Sequence, residues 1–326
     1  MENNIEKRRK IQFISELKPG DIVNDMFAVK FKKPPKRYEA GYYFEIRLSD
    51  RTGEITAKYW GSSEENVTKI YESFGKGSVI HISGIVTEYK NKPEISIEEK
   101  NIFKVLDKDQ YFLEDFIGFT KKDINKMKEE LLSFSEKVKN YYLKKILDMF
   151  FQDKNFMEKF CSSPAAMHYH QNYFGGLLEH TLNVTKIVST IYELHPEMDY
   201  DLLITGALLH DIGKIKEFEY DTSIDVSREG MLLGHIILGN EMVQEKIKQI
   251  EGFPEILSLK LQHIILSHHG RNEFGSPKEP QLPEAMAIHL ADELDAKLDL
   301  MIRFKSEART EDPWIWTRIF GHIYLE

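Results

Sequence analysis

The chain carries a single cysteine, Cys161, in 326 residues. No disulfide can therefore close within it, which fits a reducing compartment. Nowhere does it offer the run of about 18 apolar residues that a membrane span needs. The N-terminus, MENNIEKRRKIQF, has charge but no apolar stretch, so no signal peptide is expected. Positive charge is in deficit: 44 Lys and Arg against 53 Asp and Glu leave a formal charge of −9. A chain this acidic is not a general polyanion binder, so any nucleic-acid site must be a local basic patch. No GxxxxGK[ST] loop occurs, which excludes a P-loop motor. Internal repeats and low-complexity tracts are also missing. The composition, 41% hydrophobic and 30% charged, supplies packed cores. The length gives a prior of two domains, and the expected location is the cytoplasm.

What is present changes character along the chain. Residues 1–10 are charged and expected to be flexible. From 11 to 105 the pattern is β. "DIVNDMFAVKFKK" reads as a strand, "KPPKRYEAG" as a loop, and "YYFEIRLSD" alternates with Tyr42, Phe44, Ile46 and Leu48 on one face. "ITAKYW" returns after the turn "DRTGE". "SEENVTKIYESF" is a short amphipathic helix, with Val67, Ile70, Tyr71 and Phe74 on one side. "SVIHISGIVTEYK" and "PEISIEEKNIFKV" follow as two further strands. Three strands, a helix and two strands are the order of a five-stranded OB-type barrel. The stretches "YYFEIRLSDRTGEITAKYW" and "VIHISGIVTEYKNKPEISI" resemble OB domains of the tRNA-anticodon-binding kind. Residues 106–120 read as a linker and 121–326 as helix after helix. The expected class is α+β, with an N-terminal barrel and an all-α C-terminal domain.

The helical half holds polar residues where polar residues are poorly placed. His180 ends "GGLLEH", His210 and Asp211 end "ALLHD", His235 sits in "LLGHIIL", His268 and His269 end "IILSHH", and Asp292 sits in "AIHLADELDAK". A buried ionised carboxylate costs several kcal/mol unless something pairs with it. A lone buried histidine is more often a hydrogen-bonded core residue. Several such points on separate helices, joined by an adjacent His–Asp pair, read instead as a metal pocket for Mn, Fe, Co, Ni or Zn.

The order H…HD…H…HH…D resembles the HD-domain phosphohydrolases, in the branch that binds two metals. The resemblance implies that His180, His210, Asp211 and Asp292 hold one ion. It implies that Asp211, as the bridge, holds a second with His235 and His268, with His269 as ligand or support. Two divalent ions about 3.5–4 Å apart can activate water and neutralise phosphate oxygens. Manganese is the first expectation, with Fe, Co, Ni, Zn or Mg as alternatives. Lys214 stands where HD enzymes often contact phosphate; its other reading is a surface cation at a helix end. Of His168 and His170, one, His170 first, is a candidate phosphate donor; the other reading is that both cap loops. His289, one turn before Asp292, is expected to support the site. His81, His195 and His322 read as structural or solvent-facing.

With the barrel in front, and with "GGLLEHT" and "HHGRNEFGSP" as further motifs, the chain is similar over nearly its full length to the YhaM family of 3′-to-5′ exoribonucleases. The related cyclic-dinucleotide group has Gly-Tyr-Pro after its His-His pair, where this chain has Gly-Ser-Pro. The implied activity is metal-dependent hydrolysis of single-stranded RNA, with single-stranded DNA as a second substrate, to nucleoside 5′-monophosphates. A homo-oligomer is left open. The alternative is an HD hydrolase of a small or cyclic nucleotide with the barrel as a regulatory module. A non-catalytic RNA-binding protein is disfavoured by the intact ligand set. For the strand itself, Lys32, Lys33, Lys36 and Arg37, with Lys30, cluster near the first loop. Tyr89, Lys90 and Lys92 lie in the last hairpin. Phe31, Tyr38, Tyr59 and Tyr89 are the stacking candidates, while Phe44 and Trp60 are expected to fill the barrel.

Overall fold

A computed structural model describes residues 7–167, 171–308, 310 and 312–326, with only the backbone of 274 and 307. The chain divides into two units: one runs to Gly118 and takes in Tyr220–Ile224, and the other holds Phe119–Glu219 and Asp225–Glu326.

The first unit contains β1 (Ile22–Lys32), β2 (Lys36–Tyr38), β3 (Gly41–Asp50), β4 (Gly53–Gly61), α1 (Glu64–Glu72), β5 (Val79–Tyr89), β6 (Lys92–Glu98) and β7 (Phe103–Leu106). β1 pairs with both β3 and β5, β3 with β4, β4 with β6 in parallel, and β6 with β5. Five strands thus close on themselves, which removes the free edges that an open sheet leaves. Period-2 alternation points Phe44, Ile46, Leu48, Ile55, Ala57 and Tyr59 inward, all nearly fully buried. Val67 and Phe74 pack on that core from α1 and the turn after it. Lys90 and Asn91 both have positive φ, 52° and 60°, between the paired residues Tyr89 and Lys92. They form the two-residue turn whose twist suits a hairpin.

Three expectations for this half need correction. The segment read as one strand from Pro93 to Val105 is two, β6 and β7. The chain turns between them because the Asn101 side chain accepts from the Glu98 amide and Ser83 Oγ accepts from the Ile102 amide. The stretch read as a linker is packed: Tyr111 and Phe116 bury against Met26, Ala28 and Val79. Residues 1–6 lie outside the described residues. The rest of the expected flexible N-terminus is held, since Lys10 is buried, donates to the Met26 carbonyl at 2.5 Å and pairs with Asp50 at 3.5 Å.

The second unit contains α2 (Ile124–Lys137), α3 (Tyr141–Phe151), α4 (Lys154–Ser162), α5 (Gly176–Leu194), α6 (Tyr200–Leu209), α7 (Lys214–Glu217), β8 (Phe218–Tyr220), β9 (Ile224–Val226), α8 (Arg228–Ile247), α9 (Glu255–Ser267), α10 (Pro283–Glu307), β10 (Trp314–Thr317) and β11 (Gly321–Tyr324), with the tip of the β8–β9 hairpin counted in the first. Asp123, Asn140, Asp153, Asp199 and Ser227 start their helices by accepting from free first-turn amides. α6 is apolar all round, with every residue from Leu202 to Leu209 buried, and α2, α3, α5, α9 and α10 pack against it. The short hairpins β8–β9 and β10–β11 interrupt the all-helical pattern that the sequence suggests. Among the described residues, no helix is long and apolar enough to cross a membrane.

Candidate metal centre

Burying α6 along its whole length delivers its C-terminal end, His210 and Asp211, to the middle of the domain. His210 caps α6 and Asp211 follows, both essentially without solvent exposure. α5 contributes His180, α9 ends at His268 and His269, and α10 contributes Asp292. α8 brings His235 in through a kink at Gly234 (φ 73°, ψ 158°), a conformation that favours glycine. Gly213 lets the loop after Asp211 lie against α8: a Cβ there would sit 2.0 Å from the His235 carbonyl oxygen.

The histidines share one orientation. His210 Nδ1 bonds the Ala207 carbonyl at 2.7 Å, and His268 Nδ1 bonds the Ile265 carbonyl at 2.7 Å. A carbonyl only accepts, so both Nδ1 atoms carry a proton and both Nε2 atoms point inward. His180 Nδ1 meets Asp295 Oδ2 at 2.7 Å, and His235 Nδ1 meets the Glu217 carboxylate at 3.0 Å. Carboxylates or carbonyls behind imidazoles are what orient metal-binding histidines.

The inward atoms form two groups around one carboxylate. Asp211 Oδ2 lies 3.5 Å from His180 Nε2 and 3.4 Å from His210 Nε2, and Asp292 Oδ1 lies 3.1 Å from His180 Nε2. Asp211 Oδ1 lies 3.5 Å from His235 Nε2 and 3.4 Å from His268 Nε2. His269 Nε2 stands 3.3 Å from His235 Nε2. Ligand atoms of His180, His210, Asp211 and Asp292 lie within 4.8 Å of one another, and so do those of Asp211, His235, His268 and His269. Asp211 Oδ1 and His268 Nε2 are buried and face each other without the alignment of a hydrogen bond. Buried polar atoms left this way cost about 1–3 kcal/mol each. Imidazole nitrogens and carboxylate oxygens converging at short range fit divalent cations.

The electrostatics agree. Burial opposes charge on Asp211, but the Lys214 ammonium at 2.5 Å and His210 hold its carboxyl well below the usual range. Burial likewise opposes charge on Asp292, and His180 overrides it, keeping that carboxyl low. His180 is raised to about 9 against its burial by the Asp292 and Asp295 carboxylates. His269 is pushed down to about 3 by burial and by His268 and His235.

The structure brings together seven of the expected residues: His180, His210, Asp211, His235, His268, His269 and Asp292. Lys214 is not a surface cation; it is buried at the start of α7 and bound to Asp211. His289 Nδ1 bonds the His268 carbonyl at 2.8 Å, in the turn that carries the His pair. His168 and His170 lie outside the described residues. Asp295 and Glu217 were not among the expected residues. Asp295 is also bound by Asn183 and Gln171, each at 2.9 Å.

On the barrel, two aromatic expectations exchange places. Tyr59 is 3% exposed and stacks inside on Phe44, at 5.1 Å between ring centres. Trp60 points outward, stacked on Tyr43 at 4.9 Å with Tyr38 edge-on at 4.9 Å. Lys32 leaves the binding set because its ammonium donates to the Tyr71 and Phe74 carbonyls and lies over both rings. Lys33 pairs with Glu45 at 2.6 Å, while Lys36 and Arg37 are exposed on β2. Phe31 is 44% exposed at the end of β1. Tyr89, Lys90 and Lys92 line a 290 Å³ groove with Lys58, whose ammonium lies 4.4 Å from the Tyr89 ring centre.

A closed OB barrel with an outward aromatic face, together with a helical domain holding a His–Asp pair among further histidines, defines an HD-type hydrolase joined to a nucleic-acid-binding module. Comparison with known proteins agrees: residues 177–297 match the HD domain family and 29–103 the OB-fold nucleic acid binding domain. HD domains imply dependence on divalent metal. The 3′-5′ exoribonuclease YhaM of Shouchella clausii is 34% identical over 286 residues, 87% of this chain and 86% of that protein. The Bacillus subtilis protein of that name is 32% identical over 288 residues, 87% and 88% of the two chains. That of Listeria monocytogenes is 30% identical over 304 residues, 93% of each. The chain belongs to the YhaM family of 3′-5′ exoribonucleases.

Proposed function

We propose that the chain is a cytoplasmic, metal-dependent 3′-to-5′ exoribonuclease that shortens single-stranded RNA, and single-stranded DNA less specifically, releasing nucleoside 5′-monophosphates. The observation that carries this is the pair of Asp211 oxygens, each facing its own set of histidines. A carboxylate so shared suits two cations, manganese first. His180, His210, Asp211 and Asp292 would hold one; Asp211, His235, His268 and His269 the other. When bound, such a pair supplies Lewis-acid neutralisation of phosphate oxygens and acidifies the attacking water. Lys214, bound to Asp211 at 2.5 Å, stands beside the site where it would meet a phosphate as a point charge.

Asp295 and Glu217 accept from Nδ1 of His180 and His235 and so orient both rings with Nε2 inward. Asp295→Ala is expected to weaken metal binding by about 10–100-fold while leaving the helical fold intact. Titration of the metal-free protein with Mn²⁺ measures this. Unchanged affinity would reduce Asp295 to a packing residue.

The strand is held by the barrel's outer face. β3 and β4 carry Tyr43 and Trp60, β2 carries Lys36, Arg37 and Tyr38, and the β5–β6 hairpin carries Tyr89, Lys90 and Lys92. These are the strands and loops by which OB folds receive oligonucleotides. Stacking on aromatic faces is sequence-tolerant, as a processive trimmer requires.

The test is where the first cut falls. RNA labelled at its 5′ end should shorten as a ladder, one nucleotide at a time, with divalent metal required. A stable duplex should stall the reaction. Rapid turnover of a cyclic dinucleotide with no ladder would favour the small-nucleotide hydrolase, and internal fragments preceding any ladder would make the enzyme an endonuclease.

A further inference from the structure

α10 is amphipathic in the reverse sense. Its inward side carries Asp292, Asp295 and Asp299 beside Ala287, Ile288 and Ala291. Its outward side carries Met286, Leu290, Leu294, Leu298, Met301 and Ile302, each between 37% and 65% exposed. A surface helix ordinarily turns its apolar stripe to the core and its charges to water. Single exposed leucines need no explanation, but a contiguous patch does. Residues 286, 290, 294, 298 and 302 follow one i, i+4 row, the ridge by which helices most often pack on each other.

The hairpin after α10 shows the same reversal. Trp314, Trp316 and Tyr324 share its outer face at 50%, 67% and 48% exposed, while Ile323 and Thr317 are buried beneath. Phe320 meets Phe304 of the last helical turn at 6.4 Å between ring centres, and Lys305 donates to the Glu326 carbonyl at 2.9 Å. The hairpin is therefore fixed to the C-terminal end of the ridge. From the start of the ridge to Lys297 runs a groove of 590 Å³ whose lining includes Arg271, Glu279, Met286, Leu290, Glu293 and Lys297.

A projecting aromatic hairpin at one end of a ridge and a groove running from the other make the surface self-complementary. We infer that the outer face of α10 docks a second copy of this chain about a two-fold axis near Leu294, each copy's tryptophan hairpin covering the other's groove. Ridges of this class cross at about −50°, so the helix ends diverge and leave a wedge for the hairpin to fill. The groove carries both signs, Glu279 and Glu293 with Arg271 and Lys297, and Lys297 pairs with Glu293 at 2.6 Å, so its fit to the hairpin is one of shape and apolar area. The area suffices: nine large side chains, from Met286 to Tyr324, with about half of each in water, present on the order of 1,000 Å², against the ~800 Å² per partner of a standard interface. His289 also lines the groove and bonds the His268 carbonyl, so the partner's hairpin would abut the turn that carries the His pair.

Sedimentation velocity on the full chain is expected to give twice the 38.2 kDa chain mass. Leu294→Glu opposes two carboxylates at the axis and should give the single-chain mass with an unchanged helical circular dichroism spectrum. Leu294→Cys in a Cys161→Ser background should cross-link to its counterpart under mild oxidation, a readout that does not depend on the Glu variant folding. A wild-type chain monomeric at every concentration overturns the inference. So does an oligomer that survives Leu294→Glu, or a monomer that floats with anionic phospholipid vesicles, which would give the ridge to a membrane. A larger closed assembly supports the inference if the 294–294 cross-link forms and overturns it otherwise. These readings concern assembly, not hydrolysis, so their failure leaves the metal centre untouched.

Discussion

Asp211→Ala is expected to lose hydrolysis by at least about 10³-fold, the scale on which a metal-dependent step collapses without its ions. Among the described residues, this side chain is the one group that faces both histidine sets, so its removal leaves no carboxylate among them common to both. It also strands Lys214 as a buried, unpaired cation, and breaking such a pair costs about 3–5 kcal/mol. Asp211→Asn is the better-controlled companion, since it keeps the shape and removes the charge. Both variants should remain helical by circular dichroism. Ladder formation on 5′-labelled RNA measures the loss. An Asp211→Asn enzyme with more than about a tenth of wild-type activity would contradict the shared-carboxylate reading.

Trp60→Ala combined with Tyr43→Ala should weaken binding of long single strands by about 10²–10⁴-fold, two stacked bases at about 1–3 kcal/mol each. Both rings lie outside the barrel core, so thermal stability should change little. Turnover of a dinucleotide should persist, since the metal centre is untouched. Tyr59→Ala is the contrast: it removes a buried ring stacked on Phe44, and is expected to lower the melting temperature. Fluorescence anisotropy with a labelled oligonucleotide separates the two cases. Equal affinity for the double variant and the wild type would move the strand to another surface.

The metal centre was legible in the sequence because its polar residues interrupt otherwise apolar helices. His210 and Asp211 close the run from Leu202 to Leu209, and no core packing explains an ionised group there. Asp295 and Glu217 escaped because nothing local marks them. Asp295 stands in the charged stretch from Asp292 to Asp299 of a long helix, where a carboxylate reads as solvated surface, and only the fold shows that this side of α10 faces inward. The one-residue exchange of Tyr59 and Trp60 has a similar origin. In a strand of period two, the inward set is decided by register, here Phe44 opposite Tyr59, and register is a tertiary fact. Lys32 shows the limit of reading basic clusters. Carbonyls at the end of α1 take up an ammonium group that its neighbours in the sequence assign to nucleic acid.

Metal content of the full chain, purified without chelator and dialysed against Mn²⁺, is the most direct measurement. Two ions per chain are expected by elemental analysis, falling to fewer than one in Asp211→Asn, with the single-stranded RNA ladder lost in parallel. A wild-type protein that holds one ion or none at saturation, yet trims RNA at full rate, would contradict the paired centre built on Asp211.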